Sequence, residues 1–246
     1  YLDYKLMARF ASLLGKDAAP YQEKANTLKS LINQKFFNAE TGVYAEGTQT
    51  AQALALYLGL VPEGKEQLVA DKLREVVAGN NYFLDFGLLG SKTVPAMLTK
   101  YGYIEDAMKM ITKTEAPSWG YWVETMGYST LPETWTLSPK FADASLNHVF
   151  MGDVSAWMMN QLAGINHDDS APGFRHIRIT PHFVKELDWA KGEYHSVRGR
   201  IASEWKREGD QVMLTVTIPA DCSADIVVGD QTETVSAGTH TFSYPV

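Results

Sequence analysis

The segment Ser145-Leu146-Asn147-His148-Val149-Phe150-Met151-Gly152-Asp153-Val154-Ser155-Ala156-Trp157-Met158-Met159-Asn160-Gln161-Leu162-Ala163-Gly164 and the Ala171-Pro172-Gly173 turn beyond it divide the chain. Leu146, Phe150, Val154, Trp157 and Met158 recur at helical spacing, and Gly164 sits where a helix would end. The spacing therefore predicts a helix over 145–163. After Ala171-Pro172-Gly173 the period changes from helical to alternating. Ile177–Ile179, Ile201–Lys206, Val212–Ile218, Ala224–Val228 and Thr239–Tyr244 read as strands. They are separated by turn residues at Arg207-Glu208-Gly209-Asp210 and Gly229-Asp230. This predicts a small antiparallel β-sandwich of about seven strands over 171–246.

Upstream of the divide, residues 1–170 read as helical hairpins. Leu6, Phe10, Leu13 and Leu14 share one face of a helix that Gly15 stops. Leu28, Leu31 and Ile32 mark a second helix. Gln49–Leu60 is apolar on most sides, as a helix covered on both flanks would be, and Pro62 breaks it. Leu73, Val76 and Val77 define another helix, closed by Gly79. Two more are expected over about Ser91–Lys100 and Ile104–Thr112. Short links between antiparallel helices suit an array or barrel of hairpins. No fixed repeat marks a solenoid. The expected fold class is α+β and multi-domain, with helical hairpins first and a sandwich second.

Composition narrows the function. The chain carries 22 Lys and Arg against 29 Asp and Glu, a net charge of −7, and has no basic stripe. Nucleic acid and anionic membrane surfaces are poor partners for such a chain. No apolar run is long enough to span a bilayer. One cysteine, Cys222, excludes an internal disulfide and a cysteine-based zinc site, and the histidines lack metal-ligand spacing. No phosphate loop, dinucleotide fingerprint or nucleophile elbow is present. Neither a metal nor another cofactor is expected. Tyr1 is not an initiator methionine and Leu2–Lys5 reads as helix interior, so the chain is expected to begin inside a longer protein.

The richest polar and aromatic stretches are Pro117-Ser118-Trp119-Gly120-Tyr121-Trp122 and Gly127-Tyr128-Ser129-Thr130-Leu131-Pro132-Glu133-Thr134-Trp135, followed by Ser145-Leu146-Asn147-His148. Glu133 lies in a loop beside the Trp135 indole, a setting that suits a tuned carboxylate, and loops carry function more often than helices do. On spacing alone a surface glutamate beside a packing tryptophan is the better explanation. A capping and core role likewise explains Asn147 and His148. Asp85, within Phe83-Leu84-Asp85-Phe86-Gly87-Leu88-Leu89-Gly90, is either a ligand-facing carboxylate or a helix cap.

Taken in order, these stretches resemble family 78 glycoside hydrolases, the bacterial α-L-rhamnosidases. The family's late-barrel segments read Pro-Ser-Trp-Gly-Tyr, then Gly-(Ala)-Thr-Thr-hydrophobic-Trp-Glu-x-Trp, then Ser-hydrophobic-Asn-His with an aromatic and Gly, Ala-Gly-Ile and Pro-Gly-Phe. Pro117–Tyr121, Gly127–Trp135, Ser145–His148 with Phe150 and Gly152, Ala163–Ile165 and Pro172–Phe174 follow them. Gln49–Ala51, Asp85–Lys92, Gly199–Ile201 with Trp205, and Ile218–Ala220 extend the likeness over nearly the whole chain.

The resemblance implies the end of an (α/α)6 catalytic barrel followed by a sandwich. It implies inverting hydrolysis of terminal α-L-rhamnosides, with a rhamnose-containing glycan or glycoside as substrate. Glu133 would be the general base, His148 a sugar-binding residue, and Trp119, Tyr121 and Trp135 would shape the site, with Asp85 a further substrate ligand. Pro132 stands where the family commonly has Trp. The family's general acid belongs to a segment of the type Asp-Cys-Pro-x-Arg-x-Glu, absent here. The expectation is that the acid lies outside these residues and that the chain alone is inactive. A periplasmic or secreted location is favoured over a cytoplasmic one. Three other readings stay open: another glycan hydrolase on the same barrel, such as a fucosidase-like enzyme; a non-catalytic carbohydrate-binding or structural remnant; and a regulatory or protein-interaction domain built as a helical hairpin array.

Overall fold

The computed structural model describes residues 1–135 and 144–245. They form two compact units, Tyr1–Met151 and Gly152–Val246.

The first unit is helical. Helices α1 (Leu2–Leu13) and α2 (Ala19–Phe36) form a hairpin, and the short strands β1 (Phe37–Asn38) and β2 (Val43–Tyr44) follow as an antiparallel pair. Then come α3 (Gln49–Leu58), α4 (Glu66–Gly79), α5 (Leu88–Lys100) and α6 (Ile104–Thr112). Helix α3 lies against both α4 and α5. Its start is fixed by Thr48, whose hydroxyl accepts the Ala51 amide at 3.2 Å, and it ends at Gly59 in the left-handed conformation. The core is built from Ala53, Leu56, Val69, Leu73, Val77, Val94, Leu98 and Met110.

Two fully buried glutamines on α3 act as backbone clamps. Gln52 accepts the Tyr44 amide at 2.6 Å and donates to the Gly42 carbonyl at 2.9 Å, so it fastens the β1–β2 turn. Gln49 accepts the Asp85 amide at 3.1 Å and donates to the Phe83 carbonyl at 2.9 Å, so it fastens the segment ahead of α5. A buried amide is tolerated only when its polar atoms are paired, as here. In α1 the residues that pack are Ala8 and Ala11. The predicted apolar face is exposed: Phe10 is 55% and Leu13 74% accessible.

The second unit opens with helix α7 (Asp153–Trp157), continued by a π-helical turn at Met158–Leu162. Strands β3 (Ile165–His167), β4 (His176–Ile179), β5 (Trp189–Ser196), β6 (Gly199–Glu208), β7 (Gln211–Val228) and β8 (Gln231–Pro245) follow. The change expected at Ala171-Pro172-Gly173 therefore falls after the first strand of this sheet. β7 is one strand serving both ends of a single six-stranded sheet. Its first half pairs with β6 and its second half with β4, while β8 follows it along both halves. The register breaks between Ile218 and Ser223, where Pro219 lacks a donor and Asp221 takes a positive φ of 57°. All pairings are antiparallel except β4 with β7. Trp205, fully buried, anchors this core and donates its indole N–H to the Leu162 carbonyl at 2.7 Å.

The single helix predicted over 145–163 does not form. Ser145–His148 is irregular, a 3₁₀ turn spans Val149–Met151, and the helix starts only at Asp153. The amides of Glu133 and His148 and that of Ser145 are committed to bonds between 131–133 and 145–148, so these residues cannot enter a helical ladder.

Candidate active site

Three connections tie the segment Thr130–Glu133 to Ser145–His148. The Thr130 hydroxyl donates to the Leu146 carbonyl at 2.7 Å, and the His148 amide donates to the Leu131 carbonyl at 2.8 Å. Glu133 completes the set from both ends. Its amide donates to the Ser145 carbonyl at 2.8 Å, and its Oε2 accepts the Ser145 amide at 3.1 Å. Among the described residues no hydrogen bond falls on Oε1. The carboxylate is half-buried and held at Oε2 by the Ser145 amide. Residues 136–143, between the two segments, lie outside the described residues, and none of the six predicted site residues falls among them.

His148 is also half-buried. Its Nδ1 accepts the Phe150 amide at 3.2 Å, and the two rings meet edge-on with centroids 3.8 Å apart. An accepting Nδ1 places the proton of the neutral ring on Nε2, which is then a donor.

Behind Glu133 is an aromatic cluster centred on Trp135. Trp122 stacks on it at 4.5 Å and 21°, Trp119 meets it edge-on at 5.0 Å, and Phe86 meets it edge-on at 6.0 Å. The indole N–H of Trp135 donates to the Phe86 carbonyl, and that of Trp119 donates to the Met151 carbonyl at 2.9 Å. The π-helical turn Tyr121–Thr125 presents Trp122, and its start is tied by Ser118, whose hydroxyl accepts the Tyr121 amide at 2.9 Å.

The structure thus pairs the Glu133 segment with the His148 segment, and groups Trp119 and Trp135 with Trp122 and Phe86. Trp119 is only 4% accessible, and its contact is with the Trp135 ring. Asp85 is exposed and does not cap α5, whose N-cap is Gly87. Its backbone is held by Gln49 one residue before the Phe86 carbonyl that Trp135 uses. Tyr121 is half-buried on the turn that carries Trp122, and its phenol makes no hydrogen bond among the described residues. Sequence reading missed Gln49, Phe86 and Trp122 as parts of the site. Trp122 stood in the quoted aromatic run, three residues after Trp119 on the same turn, and that spacing was the available signal. Clefts of about 480 and 650 Å³ lie along α1 and α2, and none of their lining residues belongs to the site. Among the described residues no group of three or more His, Cys, Asp or Glu is arranged to hold a metal. No described helix is long and apolar enough to cross a membrane.

Helical hairpins followed by a mostly antiparallel β-unit are the arrangement of a hairpin-built domain with a terminal β-domain. Residues 1–162 match the bacterial alpha-L-rhamnosidase 6 hairpin glycosidase domain, and residues 164–243 match the bacterial alpha-L-rhamnosidase C-terminal domain. The chain belongs to the bacterial α-L-rhamnosidase family.

It is 30% identical over 227 residues to an alpha-L-rhamnosidase of Streptomyces avermitilis, an alignment covering 90% of this chain and 22% of that protein. The crystal structure of a Streptomyces avermitilis alpha-L-rhamnosidase complexed with L-rhamnose superposes with a TM-score of 0.89 at 26% identity, covering 98% of this chain and 26% of the other. For the alpha-L-rhamnosidase of Dictyoglumus thermophilum the TM-score is 0.90 at 29% identity, covering 100% of this chain and 31% of that one. The chain spans about a quarter of the length of the relatives it matches.

Proposed function

We propose that this chain supplies the water-activating side of an α-L-rhamnosidase site that hydrolyses terminal α-L-rhamnosides with inversion. The observation that carries the reading is the carboxylate of Glu133. Ser145 holds Oε2, and among the described residues no hydrogen bond falls on Oε1, the oxygen assigned to take a proton from water. His148 offers Nε2–H to a sugar hydroxyl from the segment paired with that of Glu133. Trp135 forms an aromatic wall backed by Trp119 and Trp122. Tyr121 and Asp85 flank that wall.

Inversion requires a second carboxyl about 6.5–9.5 Å from the base, with room for the attacking water between them. We assign this general acid to a part of the enzyme outside these 246 residues, in keeping with a chain that spans about a quarter of its relatives. General-acid help is worth about 10²–10⁴-fold, so the chain alone is expected to turn over poorly.

The test is an aryl α-L-rhamnoside assay on three samples: these 246 residues alone, the enzyme containing them at the length of the relatives, and that enzyme carrying Glu133→Gln. The reading expects turnover only from the second sample, with rhamnose binding kept in the third. A Gln variant as active as its parent removes Glu133 from the mechanism. A parent that cleaves only other glycosides removes the substrate assignment.

A further inference from the structure

Strand β5 reads Trp189-Ala190-Lys191-Gly192-Glu193-Tyr194-His195-Ser196 and, among the described residues, pairs on one side only, with β6. It is eight residues long, has no proline and no bulge, and carries two exposed aromatics, Trp189 at 60% and Tyr194 at 44%. Natural sheets shorten, bend or charge such an edge to prevent indiscriminate pairing. The charges here permit one kind of pairing. The geometry points to the free edge of β5 as a self-recognition surface that joins two copies of this chain as antiparallel neighbours about a two-fold axis through Gly192.

The argument is one of register. With Gly192 facing Gly192 of the second copy, Lys191 faces Glu193, Ala190 faces Tyr194, and Trp189 faces His195, each twice by symmetry. Sliding one strand by one pairing step in either direction brings Lys191 against Lys191 or Glu193 against Glu193 on the axis, and like charges directly opposite repel. Only the Gly192-centred register among these three satisfies both charges.

The pairs already inside the sheet extend the pattern. Lys191 contacts Glu204 on β6 at 3.4 Å, and Glu193 contacts Arg200 at 2.7 Å. Across the joined edge the order becomes Glu204, Lys191, then Glu193 and Arg200 of the second copy, alternating in sign. All four lie on the outer face of the sheet and are at least a third exposed.

The inner face adds a shape argument. A cleft of about 290 Å³ runs beside Ala190 at this edge, walled by Ser155, Met158, Met159 and Leu162. In the Gly192-centred register Tyr194 of the second copy stands opposite Ala190, on the side of that cleft. Methionine walls adapt readily to an inserted ring. At the axis a side chain on Gly192 would collide with Ala163 Cβ at 2.5 Å and Met159 Sδ at 2.7 Å, so the inner face is already filled there.

The test is sedimentation velocity on the 246-residue chain over a wide concentration series, with Lys191→Glu, Glu193→Lys and the double exchange. The wild type is expected to show a concentration-dependent dimer. Each single variant is expected to weaken it by about tenfold or more, and the double exchange to recover at least about threefold of that loss, since it restores the pairs across the axis while opposing Glu204 and Arg200 within the sheet. Thermal melts of each variant separate lost pairing from lost folding. A second readout fixes the register. Antiparallel partners lie about 4.5–5.5 Å apart at Cα, inside the range of about 4.4–6.8 Å that a disulfide spans. Lys191→Cys and Glu193→Cys chains should therefore cross-link when mixed and not when oxidised separately. A wild type that stays monomeric throughout, a dimer indifferent to both single charge changes, or Lys191→Cys chains that cross-link as well alone as in the mixture would each overturn the proposal.

Discussion

Glu133 and Ser145 hold each other by a reciprocal pair of hydrogen bonds, the Glu133 amide to the Ser145 carbonyl and the Ser145 amide to Glu133 Oε2. The side chain proposed as base is thus aimed by a backbone group twelve residues away. Replacing Ser145 by proline deletes that donor and nothing of the carboxylate. In the assembled enzyme, Ser145→Pro is expected to lower kcat by about tenfold to a hundredfold with little change in KM, because the base loses its orientation. Ser145→Ala keeps the amide and is expected to stay close to wild type. A proline variant that is folded by circular dichroism and fully active would show that the clamp does not aim the base.

Trp122 lies beneath Trp135 in the aromatic cluster. It is 2% exposed and stacks on Trp135 at 4.5 Å. Trp122→Ala should cost about 3–5 kcal/mol in a urea titration of the helical unit, while Trp122→Phe keeps a stacked ring and loses less. Equal losses from the two variants would mean that a smaller stacked ring at 122 does nothing to support Trp135.

What the sequence revealed follows from which forces are local. The helices α3 to α6 and most of β4, β6, β7 and β8 were legible because their burial follows one period over many residues. The strand β5 was not, since its inward positions are Ala190 and Gly192, too small to read as an apolar alternation. Residues 145–152 misled for the opposite reason. Leu146 and Phe150 keep helical spacing, yet their neighbours spend their amides on the Glu133 loop. In α1 the large apolar residues suggested a packed stripe, whereas Ala8 and Ala11 make the close approach to α2. Of the proposed site, Glu133, His148 and Trp135 came from ordered motifs. Phe86 is joined to Trp135, and Gln49 to the Asp85 amide, by contacts across more than thirty positions of sequence, which no local pattern encodes.

Gly90 is a position where only hydrogen fits. A Cβ there would lie 2.2 Å from Phe86 Cβ and 2.8 Å from Thr50 Oγ1, displacing the residue whose carbonyl receives the Trp135 indole. Gly90→Ala is expected to destabilise by about 1–3 kcal/mol. Gly79, at the end of α4, has no heavy atom within 4 Å of such a Cβ, and Gly79→Ala should gain about 0.4–1 kcal/mol. Chemical denaturation of the two variants side by side checks both signs. A neutral Gly90→Ala would show that Phe86 can move aside.

His182 links the sandwich unit to pH. Burial pushes its imidazole below the ordinary value of about 6.5, against the opposing hydrogen bond to the Gln161 carbonyl. The folded ring therefore stays neutral where the unfolded ring has begun to take a proton. The unfolded state binds more protons in that window, so stability is full above about pH 6.5 and declines as pH falls from there toward the folded value. Melting temperatures of the wild type and His182→Gln between neutral and mildly acidic pH test this. The wild type should lose more of its neutral-pH stability than the variant, and parallel curves would exclude His182 as the source.

Tyr44 offers the mirror case on the alkaline side. Its ring is 3% exposed and stacked on Phe37, its hydroxyl donates to Asn33 Oδ1 at 2.5 Å, and Asn33 in turn donates to the Leu60 carbonyl at 2.8 Å. Burial pushes the phenol up to about 12 from its ordinary value near 10. Between those values the unfolded chain releases a proton that the folded chain keeps, so Tyr44 makes stability fall as pH rises from about 10 to about 12. Tyr44→Phe should lose less stability than wild type across that window. Asn33→Ala leaves the buried hydroxyl without its acceptor and should cost about 1–3 kcal/mol already at neutral pH. If Asn33→Ala is neutral, the phenol has found another partner. If the two alkaline slopes coincide, the ionisation that limits stability there belongs to a different tyrosine.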